Sequence, residues 1–227
     1  MKILHRDDMI SGGFAGLREY RLVTDSRFFG GHHQYSEAWD GIGNFVYLTD
    51  ERFEPKGETQ RHQHKKIDVI SVMVEGRIMY EGSLQNRQQL ESYHVQAQRA
   101  GEYGFSHNEV NPDRIENRMV QLWVLPERPK QQTGYKLYAP KEGELTRVYG
   151  GDTHQEETFD SHTLVDIGIM PKGKNISLKG DFIAYITRGS GRLNGQLVKD
   201  GDLIRDEGLE FIAEETAQLI VIRNNLA

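Results

Sequence analysis

Two short polar motifs contain side chains that could bind a metal ion. His62 and His64 are two residues apart, and so are His107 and Glu109. Side chains at this spacing point to the same face of a β-strand. If two such strands lie side by side, three imidazoles and one carboxylate converge on one point. This donor set suits a divalent transition metal.

The donor set would also leave room for a substrate. Three His and one Glu fill four positions of an octahedron, and two remain for water, oxygen or a substrate. A structural zinc site, in contrast, is usually closed and tetrahedral. We therefore expect an open site that binds one divalent transition metal. Fe(II) is the first choice, and Mn, Ni, Cu and Zn are alternatives.

The same residues have a second interpretation, in which they bind nothing. The run Gln60–Lys66 is polar throughout, so His62 and His64 could lie on a solvated loop. His107 alone would be a hydrogen-bonded structural histidine. The second pair at the same spacing, which follows Gly104, favours the metal site over this alternative.

Asp68 follows His64 by four residues and begins an apolar run. A buried carboxylate at this place needs a polar partner. It could accept a hydrogen bond from an imidazole and orient the ring. The less favoured alternative is that it replaces Glu109 as a ligand.

The composition excludes several classes of protein. The chain has 227 residues, no cysteine and a net charge of −6. Without cysteine, disulfides and thiolate ligands are excluded, so a metal must bind His and carboxylate groups. No lysine- and arginine-rich block is present, so we expect no direct nucleic-acid binding. The N-terminus lacks an apolar signal core and the apolar runs are too short for a bilayer, so we expect a soluble cytoplasmic protein.

Short β-branched and aromatic runs, most of them bounded by turn residues, predict an all-β fold. The polar stretch 81–98 is predicted as a loop or a pair of strands. The clearest predicted strands are Phe45–Leu48, Ile67–Val74, Val120–Leu125, Leu164–Met170, Phe182–Thr187 and Gln218–Ile222.

Five short segments of the first half have weak counterparts, in the same order, in the second half. Examples are Val120–Val124, which resembles Ala217–Val221, and Gly104–His107, which resembles Gly208–Phe211. The repeat predicts two copies of one β-fold. We place an N-terminal metal-binding domain at residues 1–137 and a degenerate domain at residues 138–227. The four candidate ligands are missing from the second copy, which has Ile176–Gly180, Phe211 and Ala213 at the corresponding places.

These motifs resemble a known family. The pattern Gly57-x4-His62-x-His64-x3-Asp68 resembles the first cupin motif, and Gly104-x2-His107-x3-Asn111 resembles the end of the second. Together with the segment Gln121–Glu127, the sequence is similar to the pirin family. The resemblance implies a bicupin, which is two tandem cupin barrels of the double-stranded β-helix or jelly-roll type, packed face to face. It also implies one metal ion, usually iron, in the first barrel on His62, His64, His107 and Glu109.

The resemblance implies two functions. One is a mononuclear non-haem iron dioxygenase of the quercetin 2,3-dioxygenase type, which opens a small aromatic or flavonol-like substrate. Glu109 would then be both a ligand and a catalytic proton acceptor. The other is an iron-dependent, redox-sensing regulatory protein without turnover, for which the acidic balance favours a protein partner. A third, less favoured alternative is a vestigial site.

Overall fold

The computed structural model describes residues 1–14, 16–30, 37–128 and 130–225. These residues form antiparallel strands joined by turns, and the only helical segment among them is one 3-10 turn at Arg6–Asp8. This confirms the predicted all-β class. No helix in the described residues is long and apolar enough to cross a membrane.

Nineteen strands are found within the described residues. The first eleven are β1 (Lys2–His5), β2 (Gly12–Phe14), β3 (Leu17–Thr24), β4 (Phe45–Phe53), β5 (His62–His64), β6 (Asp68–Glu75), β7 (Arg77–Gly82), β8 (Asn86–Glu91), β9 (Val95–Arg99), β10 (Phe105–Val110) and β11 (Asn117–Val124). The others are β12 (Gly134–Tyr138), β13 (Leu145–Gly151), β14 (Ser161–Met170), β15 (Asn175–Arg188), β16 (Ser190–Leu193), β17 (Gln196–Lys199), β18 (Asp202–Ala213) and β19 (Ala217–Asn224).

The chain divides into two compact units. The first unit is Ile10–Ala139, and the second unit is Met1–Met9 together with Pro140–Ala227. The N-terminal residues belong to the second unit because β1 pairs with β18, from Lys2 opposite Arg205 to His5 opposite Asp202. The functional division at residues 1–137 and 138–227 stays a prediction.

The first unit consists of two sheets around an apolar core. One sheet has the strand order β12-β9-β6-β11-β4-β3-β2, and the other has the order β5-β10-β7-β8. Both sheets contribute side chains to one buried cluster, which excludes water from the space between them. Its members are Leu17, Phe53, Met73, Ile78, Tyr80, Leu90 and Met119.

The polar stretch 81–98 contains two strands that lie in different sheets. β8 pairs with β7, whereas β9 pairs with β6. The turn at residues 92–94 between them carries the chain from one sheet to the other. This crossover places β9 beside the apolar strand β6.

The second unit repeats the strand pairing of the first. β15 pairs with β18 and β19, just as β5 pairs with β10 and β6 pairs with β11. In the first unit His107 lies opposite His62, and Phe105 lies opposite His64. In the second unit Phe211 lies opposite Ile176, and Leu209 lies opposite Leu178. Apolar side chains, packed in one core cluster, therefore take the corresponding positions of the second unit.

Candidate metal centre

Two neighbouring strands bring the three candidate histidines together. β5 and β10 are antiparallel, and His62 and His107 are directly opposite each other. His64 points to the same side as His62 because it is two residues away. The turn before β10 needs Gly104, which has φ +78°. A Cβ atom there would lie 2.4 Å from the carbonyl oxygen of His64.

The imidazole nitrogens converge at spacings that a metal ion would impose. The Nε2 atom of His107 is 3.2 Å from Nε2 of His64 and 3.1 Å from Nε2 of His62. Two nitrogens bound to one ion at about 2.1 Å lie about 3.0 Å apart at a right angle and about 3.4 Å apart at a tetrahedral angle. The observed distances fall in this interval, so the three histidines fit a divalent ion.

In two of the three rings, hydrogen bonds fix which nitrogen carries the proton. The Nδ1 atom of His62 donates to the carbonyl oxygen of Gln60 at 2.9 Å, and Nδ1 of His107 donates to Oε1 of Gln98 at 2.9 Å. In a neutral imidazole the other nitrogen is then a lone-pair acceptor. The two Nε2 lone pairs therefore face each other without a proton between them. The two lone pairs repel each other, and a cation bound between them would replace this repulsion with attraction.

Burial keeps His64 and His107 neutral. Burial, and then the nearby His62, lower the pKa of His64 to about 4. The pKa of His107 is far below its ordinary value because of burial, followed by His64 and His62. Neutral imidazoles are the form that binds metals. No proton has to be displaced from His64 or His107 near neutral pH.

Glu109 lies in the same strand as His107 but outside the three-histidine group. Among the described residues, the potential ligand atoms within 4.8 Å of one another belong to His62, His64 and His107. Oε1 of Glu109 accepts a hydrogen bond from Gln121 at 3.1 Å. Burial raises its pKa to about 7, although hydrogen bonds from Tyr80 and Gln121 oppose this effect. Glu109 as the fourth ligand stays a prediction.

Asp68 holds the end of β9. Its Oδ2 atom accepts from Nε of Arg99 at 3.2 Å, and its Oδ1 atom accepts from the backbone N–H of Ala100 at 3.0 Å. Asp68 is buried and is not in the three-histidine group. It supports the strand that carries Gln98, the residue whose oxygen orients His107.

Two glutamines at the site were not identified from the sequence. Gln98 accepts from His107, and Gln121 connects two groups by donating to Glu109 and accepting from Nε1 of Trp123 at 2.8 Å. Because indole nitrogen is only a donor, Trp123 fixes the orientation of the Gln121 amide. For Gln121 the signal was present in the sequence, because it interrupts the apolar run Met119–Val124, where a polar side chain needs a partner. For Gln98 it was absent, because β9 also contains Gln96 and Arg99.

The histidines line a cavity of about 710 Å³ within the first unit. One wall is aromatic, since the rings of Tyr47 and Trp123 stack with centroids 4.3 Å apart and planes at 29°. Trp123 also makes an edge contact with His64, with centroids 5.6 Å apart. The cavity therefore has the three histidines on one side and an aromatic wall on another.

The strand pairing, its repetition in two units and the histidine cluster define a protein of the bicupin class. Residues 25–124 match the model of the pirin family. This match covers a little under half of the chain and confirms the resemblance to the pirin family seen in the motifs.

The chain is also similar to individual proteins. The crystal structure of the bacterial pirin YhhW of Escherichia coli in complex with nickel(II) superposes with a TM-score of 0.81 at 16% identity, covering 97% of both chains. A Zymomonas mobilis protein with the provisional name quercetin 2,3-dioxygenase is 24% identical over 191 residues, which are 76% of this chain and 79% of that protein. The quercetin 2,3-dioxygenase of Escherichia coli K12 is 27% identical over 94 residues, which are 41% of this chain and 40% of that protein.

Proposed function

We propose that this protein is an iron-dependent dioxygenase of the quercetin 2,3-dioxygenase type. The observation that supports it most strongly is the convergence of three imidazole Nε2 atoms beside a cavity with an aromatic wall. Quercetin is a planar, hydroxylated aromatic compound. Its hydroxyl groups suit the metal-binding histidines, and its rings suit the aromatic wall. The names of the sequence relatives agree with this proposal.

The metal would be held by His62, His64 and His107, with Glu109 as the fourth ligand. Bound Fe(II) would act as a Lewis acid toward an enolic hydroxyl and provide positions for substrate and oxygen. Gln98 keeps the proton of His107 on Nδ1, so that Nε2 stays a lone-pair donor. Such partners of metal ligands set ring orientation and ligand basicity.

The aromatic wall would orient the substrate. Trp123 and Tyr47 present stacked rings to the cavity. A flavonol could lie against them in an offset-stacked arrangement. The hydrogen bond from Trp123 to Gln121 keeps the indole ring in place.

Glu109 would accept the proton that the substrate hydroxyl loses. Its carboxyl group lines the cavity and has a pKa of about 7, mainly because it is buried. A bound divalent cation would lower this pKa and keep the carboxylate ionised, which is the form that accepts a proton. The Gln121 amide holds Oε1 in position for this transfer.

Reconstitution with metal tests the proposal. Untagged protein is loaded with Fe(II) without oxygen, quercetin is added, and then O2 is admitted. We expect ring-opened product and CO, and we expect neither from the His107→Ala variant. Metal-loaded wild-type protein that binds quercetin but releases no CO would refute the dioxygenase and leave the regulatory binding function.

A further inference from the structure

Glu51 is a buried carboxyl group that the proposed reaction does not use. It is 4% exposed and lines the same cavity as the histidines. Its Oε2 atom has no hydrogen-bond partner among the described residues. Buried polar atoms almost always have a partner. A buried polar atom that faces a cavity and has no partner indicates that a ligand in the cavity supplies the hydrogen bond.

The neighbours of Glu51 do not satisfy it. Glu19 lies directly opposite Glu51 on the adjacent strand, so two carboxyl groups face each other there. Such like-charged cross-strand pairs are unfavourable. Glu19 forms an ion pair with Arg21. This pair leaves the Oε2 atom of Glu51 without a hydrogen bond.

The position of Glu51 on β4 relates it to the aromatic wall. Tyr47 is four residues earlier on the same strand, so both side chains point to the same face of the sheet. Opposite them on β11 are Met119, which pairs with Glu51, and Trp123, which pairs with Tyr47. A ligand in contact with the Tyr47–Trp123 wall is therefore on the same face of the sheet as Glu51, which lines the same cavity.

The charges around the cavity limit the chemistry of this ligand. The cavity is lined by three basic side chains and three carboxyl groups, so charge favours neither a cationic nor an anionic ligand. They are Arg21, Arg61, Lys65, Glu19, Glu51 and Glu109. A neutral hydroxyl can donate to a carboxylate and can accept from a carboxylic acid. It therefore matches Glu51 in either protonation state.

We propose that Glu51 is a specificity-determining residue that hydrogen-bonds, through Oε2, to a ring hydroxyl of the cavity's ligand. The residue would select polyhydroxylated aromatic compounds over analogues without the ring hydroxyls. This inference rests on the proposed function, because it assumes an aromatic ligand in the same cavity. It concerns recognition only, so it can be tested without turnover.

The test compares two ligands by calorimetry under nitrogen with Ni(II)-loaded protein. The ligands are quercetin and 3-hydroxyflavone, which keeps the metal-binding end but lacks the other hydroxyls. Wild-type protein should prefer quercetin. Glu51→Met, which keeps side-chain length without hydrogen bonding, should reduce this preference about tenfold, which is the size of one buried hydrogen bond. Glu51→Gln should retain most of it.

The outcomes separate this inference from the dioxygenase proposal. Equal weakening of both ligands in Glu51→Met would overturn the inference, because it would show a structural role. Wild-type protein that binds neither ligand, or both equally, would also overturn it. Wild-type discrimination that Glu51→Met removes, together with no CO release from the Fe(II) protein, would uphold the role of Glu51 and refute the dioxygenase.

Discussion

Replacing Gln98 with leucine tests how the protein holds the metal-binding form of His107. Gln98 is 2% exposed and His107 is fully buried, so no solvent can replace the lost acceptor. The proton of His107 would then be free to move to Nε2, the nitrogen aimed at the other two histidines. Loss of such a partner typically weakens metal binding by 10- to 100-fold, or about 1.4 to 2.7 kcal/mol. Complete burial places the expected effect in the upper half of this range.

The assay is a competition titration of untagged, metal-free protein with Ni(II) and a chromophoric chelator. Gln89→Leu is the matched control, because Gln89 lies on β8 and its amide donates to exposed Glu91. The control should bind Ni(II) as wild type does. Circular dichroism would check that both variants are folded. A dissociation constant for Gln98→Leu within twofold of wild type would refute the tautomer argument.

Two further substitutions test the support of the site. Gly104→Ala should weaken Ni(II) binding and lower the free energy of unfolding by about 2 kcal/mol or more, because of the positive φ and the clash with the His64 carbonyl. Gly173→Ala is the control, because Gly173 has φ +79° but no atom lies within 4 Å of an added Cβ. It should lower the free energy of unfolding by about 1 kcal/mol and leave metal binding unchanged. Arg118→Met should lower the free energy of unfolding by about 3 kcal/mol in urea titrations, because it removes a buried partner of Asp50.

Each of these predictions has a clear contrary result. Equal metal affinity in Gly104→Ala and Gly173→Ala would show that the turn does not position β5. For Arg118→Met the comparison is Arg77→Ala, which breaks the exposed pair with Asp113 and should lower the free energy of unfolding much less. If the two variants lose the same free energy of unfolding, the buried ion pair of Arg118 and Asp50 stabilises the protein no more than the exposed pair does.

The strands and the histidine cluster could be predicted because their signals are local. Apolar runs bounded by turn residues indicate strands, and the i, i+2 spacing of His62 and His64 indicates one face. Two copies of the spacing were enough to expect His107 beside them. The apolar residues at the corresponding positions of the second unit could be found in the same way, because they follow from the internal repeat.

The rest depends on pairing between distant segments. Gln98 meets His107 only because the chain passes from one sheet to the other between β8 and β9. β1 pairs with a strand about two hundred residues later, and no motif in the first residues signals this contact. The missing partner of Glu51 becomes visible only when every neighbour is in place. The spacing of residues along the sequence does not predict these contacts, because they depend on which distant strands pair in the fold.

Metal content, measured on untagged protein, tests the central claim most directly. Wild-type protein should contain about one equivalent of a transition metal, or take up one equivalent of Ni(II). The metal is quantified by inductively coupled plasma mass spectrometry. His107→Ala should lose it, whereas His154→Ala, which changes an exposed histidine of the second unit, should retain it. Full metal content in His107→Ala would contradict the assignment of the site.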